Sequence, residues 1–111
     1  MITEDFNKVL QERIYKIQKI LAAKSEEYVR NDNKMHNFDK GSDLTGKSRE
    51  DVLLGFALKH WISVNDILDD MSKGKLPTRE LVDEKLGDWI NYMCLLEASI
   101  IDKINTHERM D

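Results

Sequence analysis

Apolar residues recur every three or four positions in three long stretches of this chain, and this spacing constrains the fold more than any other feature. It places the apolar side chains of each stretch along one side of an α-helix. One proline and five glycines interrupt the 111 residues. We therefore predict an all-α chain, a single domain over residues 1–111, with helices at about 4–30, 49–72 and 79–105 and a loop at 31–47.

Polar residues mark where the predicted helices begin. Thr3, Ser48 and Thr78 each precede a helical stretch and are predicted as N-caps. Each helix is about 36 to 40 Å long at 1.5 Å per residue, so the three fit side by side in an antiparallel bundle. The middle helix is apolar around more than half of its circumference. We expect dimerisation to complete the bundle.

Charge and hydropathy exclude several classes of partner. The 17 basic and 21 acidic residues are interspersed and give a net charge of -4, so no basic face is available for duplex nucleic acid. No apolar stretch approaches the roughly 20 residues that span a bilayer, and the acidic N-terminus does not resemble a signal peptide. A single cysteine, Cys94, lies in an apolar helical run. We expect a cytoplasmic protein without a membrane partner.

Each predicted helix also carries polar side chains on or beside its apolar side. Burying such groups costs free energy unless they are paired. If the apolar sides face one another, these groups share one internal polar layer, which is either a ligand site or a structural network of ion pairs. The layer comprises Lys24, Glu27, Lys59, His60, Glu84, Asp88 and Asn91.

The predicted loop is dense in hydrogen-bonding side chains for a plain connector. Asp32, His36, Asn37 and Asp39 surround one aromatic residue, Phe38. Such a loop can close over a ligand held between helices. The alternative is a solvated loop anchored by Phe38.

Four segments, in this order, resemble small phage-encoded proteins related to the MazG-like and nucleotide-modification-associated families. They are KSEEY (24–28), HNF (36–38), KHWIS (59–63) and EKLGDWINY (84–92). The resemblance covers about residues 20–97. It implies a MazG-like bundle, a homodimer or higher oligomer, the host cytoplasm and a nucleotide-like ligand.

MazG-like enzymes are nucleoside triphosphate pyrophosphohydrolases that hold magnesium with E-x-x-E on one helix and E-x-x-D on another. In this sequence Lys24 and Lys85 stand where the first acid of each motif belongs. Ammonium groups favour an anion over a cation. The resemblance still leaves Glu27, Glu84 and Asp88 as ligands of one Mg²⁺ if the chain is a hydrolase.

Three functions remain open from the sequence. We expect first a protein that binds a nucleotide or nucleotide-derived ligand without turnover and without a cofactor. The first alternative is a divergent Mg²⁺-dependent pyrophosphohydrolase, and the second is a module that docks onto a host protein. No catalytic residue is assigned. The predicted ligand-binding residues are Lys24, Glu27, Tyr28, Asn37, Phe38, Lys59, His60, Ser63 and Asn91.

Overall fold

A computed structural model of the chain describes residues 1–23 and 33–110. This part is helical and contains no strand, which confirms the all-α prediction. None of its helices is both long enough and apolar enough to cross a membrane. The helices are α1 (Thr3–Gln18), which continues into a π-helical turn (Lys19–Ala23), then α2 (His36–Thr45), α3 (Arg49–Ser72) and α4 (Arg79–Met110).

The helix boundaries agree with the sequence in part. Helix α3 spans the predicted residues, and α4 begins where predicted but runs to Met110 instead of about residue 105. The prediction of a loop over residues 31–47 is wrong, because α2 occupies most of that segment. Asn, Asp, Gly and Ser are weak helix formers, and the tertiary contacts of α2 override that preference. Residues 24–30 of the first predicted helix lie outside the described residues.

The chain divides into two compact units, residues 1–36 and 37–111. The prediction of a single domain stays a prediction. In the first unit, the N-cap of α1 is Ile2, not Thr3, and no side chain caps the helix. Glu4 and Asp5 occupy its first turn, where the helix dipole favours negative charge.

In the second unit, α3 and α4 pack as an antiparallel hairpin. The apolar side chains that α3 buries lie on one side of the helix, as the spacing predicts. Many other apolar residues of α3 remain exposed. The buried ones are Leu53, Ala57, Val64 and Ile67.

Both helices of the hairpin begin at the predicted caps. The Ser48 hydroxyl accepts a hydrogen bond from the Asp51 amide at 3.1 Å. The Thr78 hydroxyl accepts one from the Leu81 amide, also at 3.1 Å. Gly74 follows the end of α3 with a φ of 89°, a left-handed conformation that favours glycine.

Helix α2 packs against the N-terminal half of α3. The Phe38 and Phe56 rings meet edge to face with their centroids 5.7 Å apart. A Cβ atom on Gly41 would lie 2.7 Å from Val52 Cγ1, so glycine permits the close approach of the two helices. This packing brings Asp39 of α2 to within 3.4 Å of Arg49 at the start of α3.

Candidate functional site

Midway along the hairpin, four polar residues form what we call the central polar layer. His60 of α3 contacts Asp88 and Tyr92 of α4, and Asn91 precedes Tyr92 on α4. His60 Nδ1 lies 3.5 Å from Asp88 Oδ2, an ion-pair distance when the imidazole is protonated. The His60 ring stacks on Tyr92 with centroids 5.1 Å apart and planes 26° from parallel. The predicted position of each residue around its helix correctly placed His60 and Asp88 in one polar layer.

Asn91 is the most buried member of the layer, with 6% of its surface exposed. Within the described part of the chain, its Oδ1 atom is buried and accepts no hydrogen bond. An unpaired buried acceptor costs about 1 to 3 kcal/mol. Because few such atoms persist in folded proteins, Asn91 Oδ1 marks a place where a donor from outside the described residues would be stabilising.

Tyr92 contributes a hydroxyl that stays protonated. Burial raises the pKa of the phenol, and the nearby Asp88 carboxylate raises it further. The hydroxyl is therefore neutral, and able to donate a hydrogen bond, at physiological pH. The layer thus combines a phenol hydroxyl, a carboxylate, an amide whose oxygen accepts nothing from the described residues, and an imidazole stacked on the phenol ring.

Lys59 and Glu84 do not belong to this layer, so the prediction that they are internal is wrong. Lys59 is exposed, because one residue before His60 is a 100° rotation away from it. The Glu84 side chain is 62% exposed and pairs with Lys85 at 3.3 Å. Ser63 is half-buried and donates its hydroxyl hydrogen bond to the Lys59 carbonyl at 3.2 Å.

Other predicted site residues lie elsewhere. Asn37 is exposed in the first turn of α2, whereas Phe38 is half-buried against Phe56, one helical turn before His60. Within residues 1–23 and 33–110, no group of three or more His, Cys, Asp or Glu side chains is arranged to hold a metal ion. The magnesium prediction depends on Glu27 and stays a prediction. Lys24, Glu27 and Tyr28 lie outside the described residues.

A second polar cluster, which we call the Arg49 cluster, joins the start of α3 to α2 and to the last third of α4. The Arg49 guanidinium donates from Nε to Ser99 Oγ at 2.7 Å and from Nη2 to the Ser99 carbonyl at 3.1 Å. It also contacts Asp102 at 3.0 Å and Asp39 at 3.4 Å. Its members are Asp39, Arg49, Glu50, Ser99, Asp102 and Lys103.

Glu50 completes this cluster. It accepts hydrogen bonds from Ser99 Oγ and Lys103 Nζ. Burial raises the pKa of Glu50, but these two hydrogen bonds, a backbone hydrogen bond and the charge of Lys103 together outweigh burial and lower it to about 2. Burial also acts to lower the pKa of Arg49, and Asp102 and Asp39 reverse that effect. The cluster therefore keeps Glu50 and Arg49 ionised by pairing them.

A cleft of about 480 Å³ opens beside the Arg49 cluster, with Thr106, His107 and Met110 along its rim. Arg49 and Lys103 line the cleft, and both donate hydrogen bonds to acceptors of the protein itself. We therefore assign the cluster a structural role.

Sequence reasoning missed the Arg49 cluster, although two signals were present. Ser99 interrupts an apolar run on α4, and Arg49 begins α3. In an antiparallel hairpin, residues equally far from the connecting turn face each other. Arg49 and Asp102 satisfy that condition, as do His60 and Asn91.

The comparisons with known proteins found no matching family model, no matching curated protein and no matching solved structure. The MazG-like resemblance is therefore neither supported nor contradicted. The functional argument rests on the geometry of the central polar layer.

Proposed function

We propose that this chain binds a nucleotide or a nucleotide-derived small molecule at the central polar layer. The observation that carries the proposal is the buried Asn91 Oδ1, which accepts no hydrogen bond within the described residues. A ligand donor that reaches this atom would offset a desolvation cost that the folded chain otherwise bears. No turnover is required for that gain.

The neighbouring groups suit a nucleoside. An amide oxygen accepts hydrogen bonds from the amino group of a base or from a ribose hydroxyl. The Asp88 carboxylate, whose side chain is 40% exposed, is a second acceptor for hydroxyl groups. The stacked His60 and Tyr92 rings offer an aromatic surface beside these acceptors.

The proposed contacts to phosphate groups rest on the sequence alone. Lys59 is exposed on α3 next to His60, and Lys24 is the second predicted phosphate ligand. Both stay predictions. The proposal also keeps the expected setting, a MazG-like phage protein that acts as a homodimer or higher oligomer in the host cytoplasm. The order of the four motif segments supports that part.

Isothermal titration calorimetry tests the proposal. We would titrate the full chain with a panel of nucleoside mono-, di- and triphosphates, cyclic nucleotides and ADP-ribose-like compounds, with EDTA and with Mg²⁺. We expect one compound to bind with a Kd of about 10 µM or lower, about -7 kcal/mol, in the presence of EDTA. Asn91→Leu should weaken that binding at least about tenfold, the loss of one good hydrogen bond.

Asn105→Leu is the matched control, because it makes the same substitution at an exposed position of the same helix. It should leave the affinity unchanged. No binding across the panel, or equal losses in the two variants, would contradict the proposal. Pyrophosphate release that requires Mg²⁺ and falls in Asp88→Ala would instead favour the pyrophosphohydrolase.

A further inference from the structure

Helices α3 and α4 each carry a second apolar row besides the one that faces the other helix. Positions in both rows alternate between spacings of four and three residues, the heptad pattern of helices that pack along their length. We call the two rows together the outer flank. It consists of Leu54, Leu58, Trp61, Asn65 and Leu68 on α3 and of Val82, Leu86, Trp89, Met93, Leu96 and Ile100 on α4.

The two rows lie on the same side of the hairpin. Trp61 belongs to one row and Trp89 to the other, and their ring centroids are 4.9 Å apart. The outer flank is therefore one continuous surface that adjoins the α3–α4 interface. None of its eleven positions is charged.

The α3 row and part of the α4 row are open to solvent, whereas Val82, Trp89, Met93 and Leu96 are half-buried. The four apolar residues of the α3 row are 41–53% exposed, and Leu86 and Ile100 of the α4 row are 37% and 44% exposed. A heptad row without charged residues has the composition of a buried helix surface, yet in the single chain much of this row faces water.

The outer flank is large enough for a stable interface. At 1.5 Å per residue the rows are about 21 and 27 Å long. With helix axes about 9 Å apart and side chains at both borders, the projected area is roughly 500 Å². Accessible area exceeds projected area, so the flank approaches the roughly 800 Å² that each partner contributes to a standard interface.

We infer that a second copy of this chain covers the outer flank, so that two α3–α4 hairpins form a four-helix bundle. A surface with the same heptad spacing on both of its helices can pack against a copy of itself about a twofold axis. The proposed function already includes a homodimer, and this inference adds which surface forms it. The inference rests on that homodimer and does not require any ligand.

Asn65 is the polar exception in the outer flank. A single amide at a heptad position costs stability but selects one register and one oligomeric state. Asn65 Nδ2 donates to the Trp61 carbonyl at 2.9 Å in the hairpin. In the bundle, Asn65 restricts the register in which the helices of the two copies align.

Sedimentation velocity on the full chain tests this inference. The wild type should sediment as a dimer, twice the 13.0 kDa of one chain. Leu58→Glu and Ile100→Glu should each raise the dimer dissociation constant at least about 100-fold, because each buries a carboxylate in an apolar interface. Circular dichroism checks that both variants remain helical.

Ile101→Glu is the matched control. Ile101 is 47% exposed, close to the 44% of its neighbour Ile100, but points about 100° away from it around α4. It should remain dimeric. A measurement that needs no variant is tryptophan emission, which should shift to longer wavelength on dilution as Trp61 and Trp89 become solvated.

A monomeric wild type at about 100 µM, well above the Kd expected for a standard interface, would overturn the inference. So would a dimer that Leu58→Glu leaves intact, or a monomer whose outer flank takes up a different protein. A monomer would also remove the homodimer from the proposed function. Titration with nucleotides does not depend on any of these outcomes, so it tests the ligand-binding part of the proposed function separately.

Discussion

The Arg49 cluster and the central polar layer lie about 11 residues apart along α3, and both place polar groups between α3 and α4. In the Arg49 cluster, Ser99 is fully buried, and its hydroxyl both accepts from Arg49 and donates to Glu50. In the central polar layer, Asn91 is almost as buried, yet its Oδ1 accepts nothing from the described residues. Among the described residues, the Arg49 cluster pairs its buried groups, whereas the central polar layer leaves one buried acceptor without a donor.

The difference separates a structural role from a binding role. A fully paired network fixes how its helices meet and offers nothing further to a ligand. A buried acceptor without a donor destabilises the free protein and gains most from a partner molecule. Four substitutions test whether the two clusters differ in this way, and they follow from the largest expected effect to the smallest.

Arg49→Ala should lower the free energy of unfolding by about 3 kcal/mol. The Arg49 side chain is 15% exposed, and its removal takes away the hydrogen bonds that it donates to Ser99 Oγ, in a fully buried residue, and to Asp102. Urea unfolding followed by circular dichroism measures the loss. Arg79→Ala, at the exposed first residue of α4, should change stability by less than about 0.5 kcal/mol. Equal effects would mean that the Arg49 cluster is not structural.

Glu50→Gln should lower stability at pH 7 by about 1 to 2 kcal/mol, a value reduced because its partner Lys103 is largely exposed. The pKa of Glu50 is about 2 in the folded chain against an ordinary value of 4.5. The stabilisation is therefore complete above about pH 4.5 and is lost as the pH falls towards 2.

Urea unfolding between pH 2 and 7 checks the sign of this effect. The wild type should lose stability across that window, and Glu50→Gln should lose less. Glu80→Gln replaces the corresponding first-turn acid of α4 and should follow the wild-type profile. Parallel profiles for all three proteins would contradict the assignment of Glu50 to the cluster.

Helical phase predicted the central polar layer better than it predicted the Arg49 cluster. Periodicity within one helix suffices to put His60 on the apolar side of α3 and Asp88 on that of α4. The Arg49 cluster depends on how two helices align over fifty residues of sequence. Lys59 was misplaced because a border position on a helix is exposed or buried according to its neighbours.

Helix α2 shows the same limit. Its residues favour a loop by intrinsic propensity, and the helix depends on Phe38 reaching Phe56 and on Gly41 admitting Val52. These contacts are tertiary, so local patterns do not contain them. The caps Ser48 and Thr78 were predictable because each acts within four residues.

Asn91→Leu should raise the free energy of unfolding by about 1 kcal/mol, the opposite sign to the first two substitutions. It replaces a buried acceptor that has no donor among residues 1–23 and 33–110 with an apolar group of similar shape. Thermal unfolding in the absence of ligand measures the gain. Together with the nucleotide titrations, this result distinguishes a binding role of Asn91 from a structural one, since stability should rise while affinity falls. A loss of stability in Asn91→Leu would place Asn91 in a paired structural network like that of Ser99.

Asp88→Asn should change stability by less than about 0.5 kcal/mol, because its contact with His60 is long and the Asp88 side chain is 40% exposed. Its effect should appear in the titration of Tyr92. Removing the carboxylate removes the smaller of the two causes that raise the Tyr92 pKa, and burial, the larger one, remains. The pKa should therefore fall but stay above the ordinary value of 10.0. Carbon-13 NMR of ring-labelled tyrosine, with Tyr15→Phe and Tyr28→Phe to assign the signals, resolves this shift. An unchanged Tyr92 pKa would show that the Asp88 carboxylate does not act on the Tyr92 hydroxyl, and it would contradict their grouping in one central polar layer.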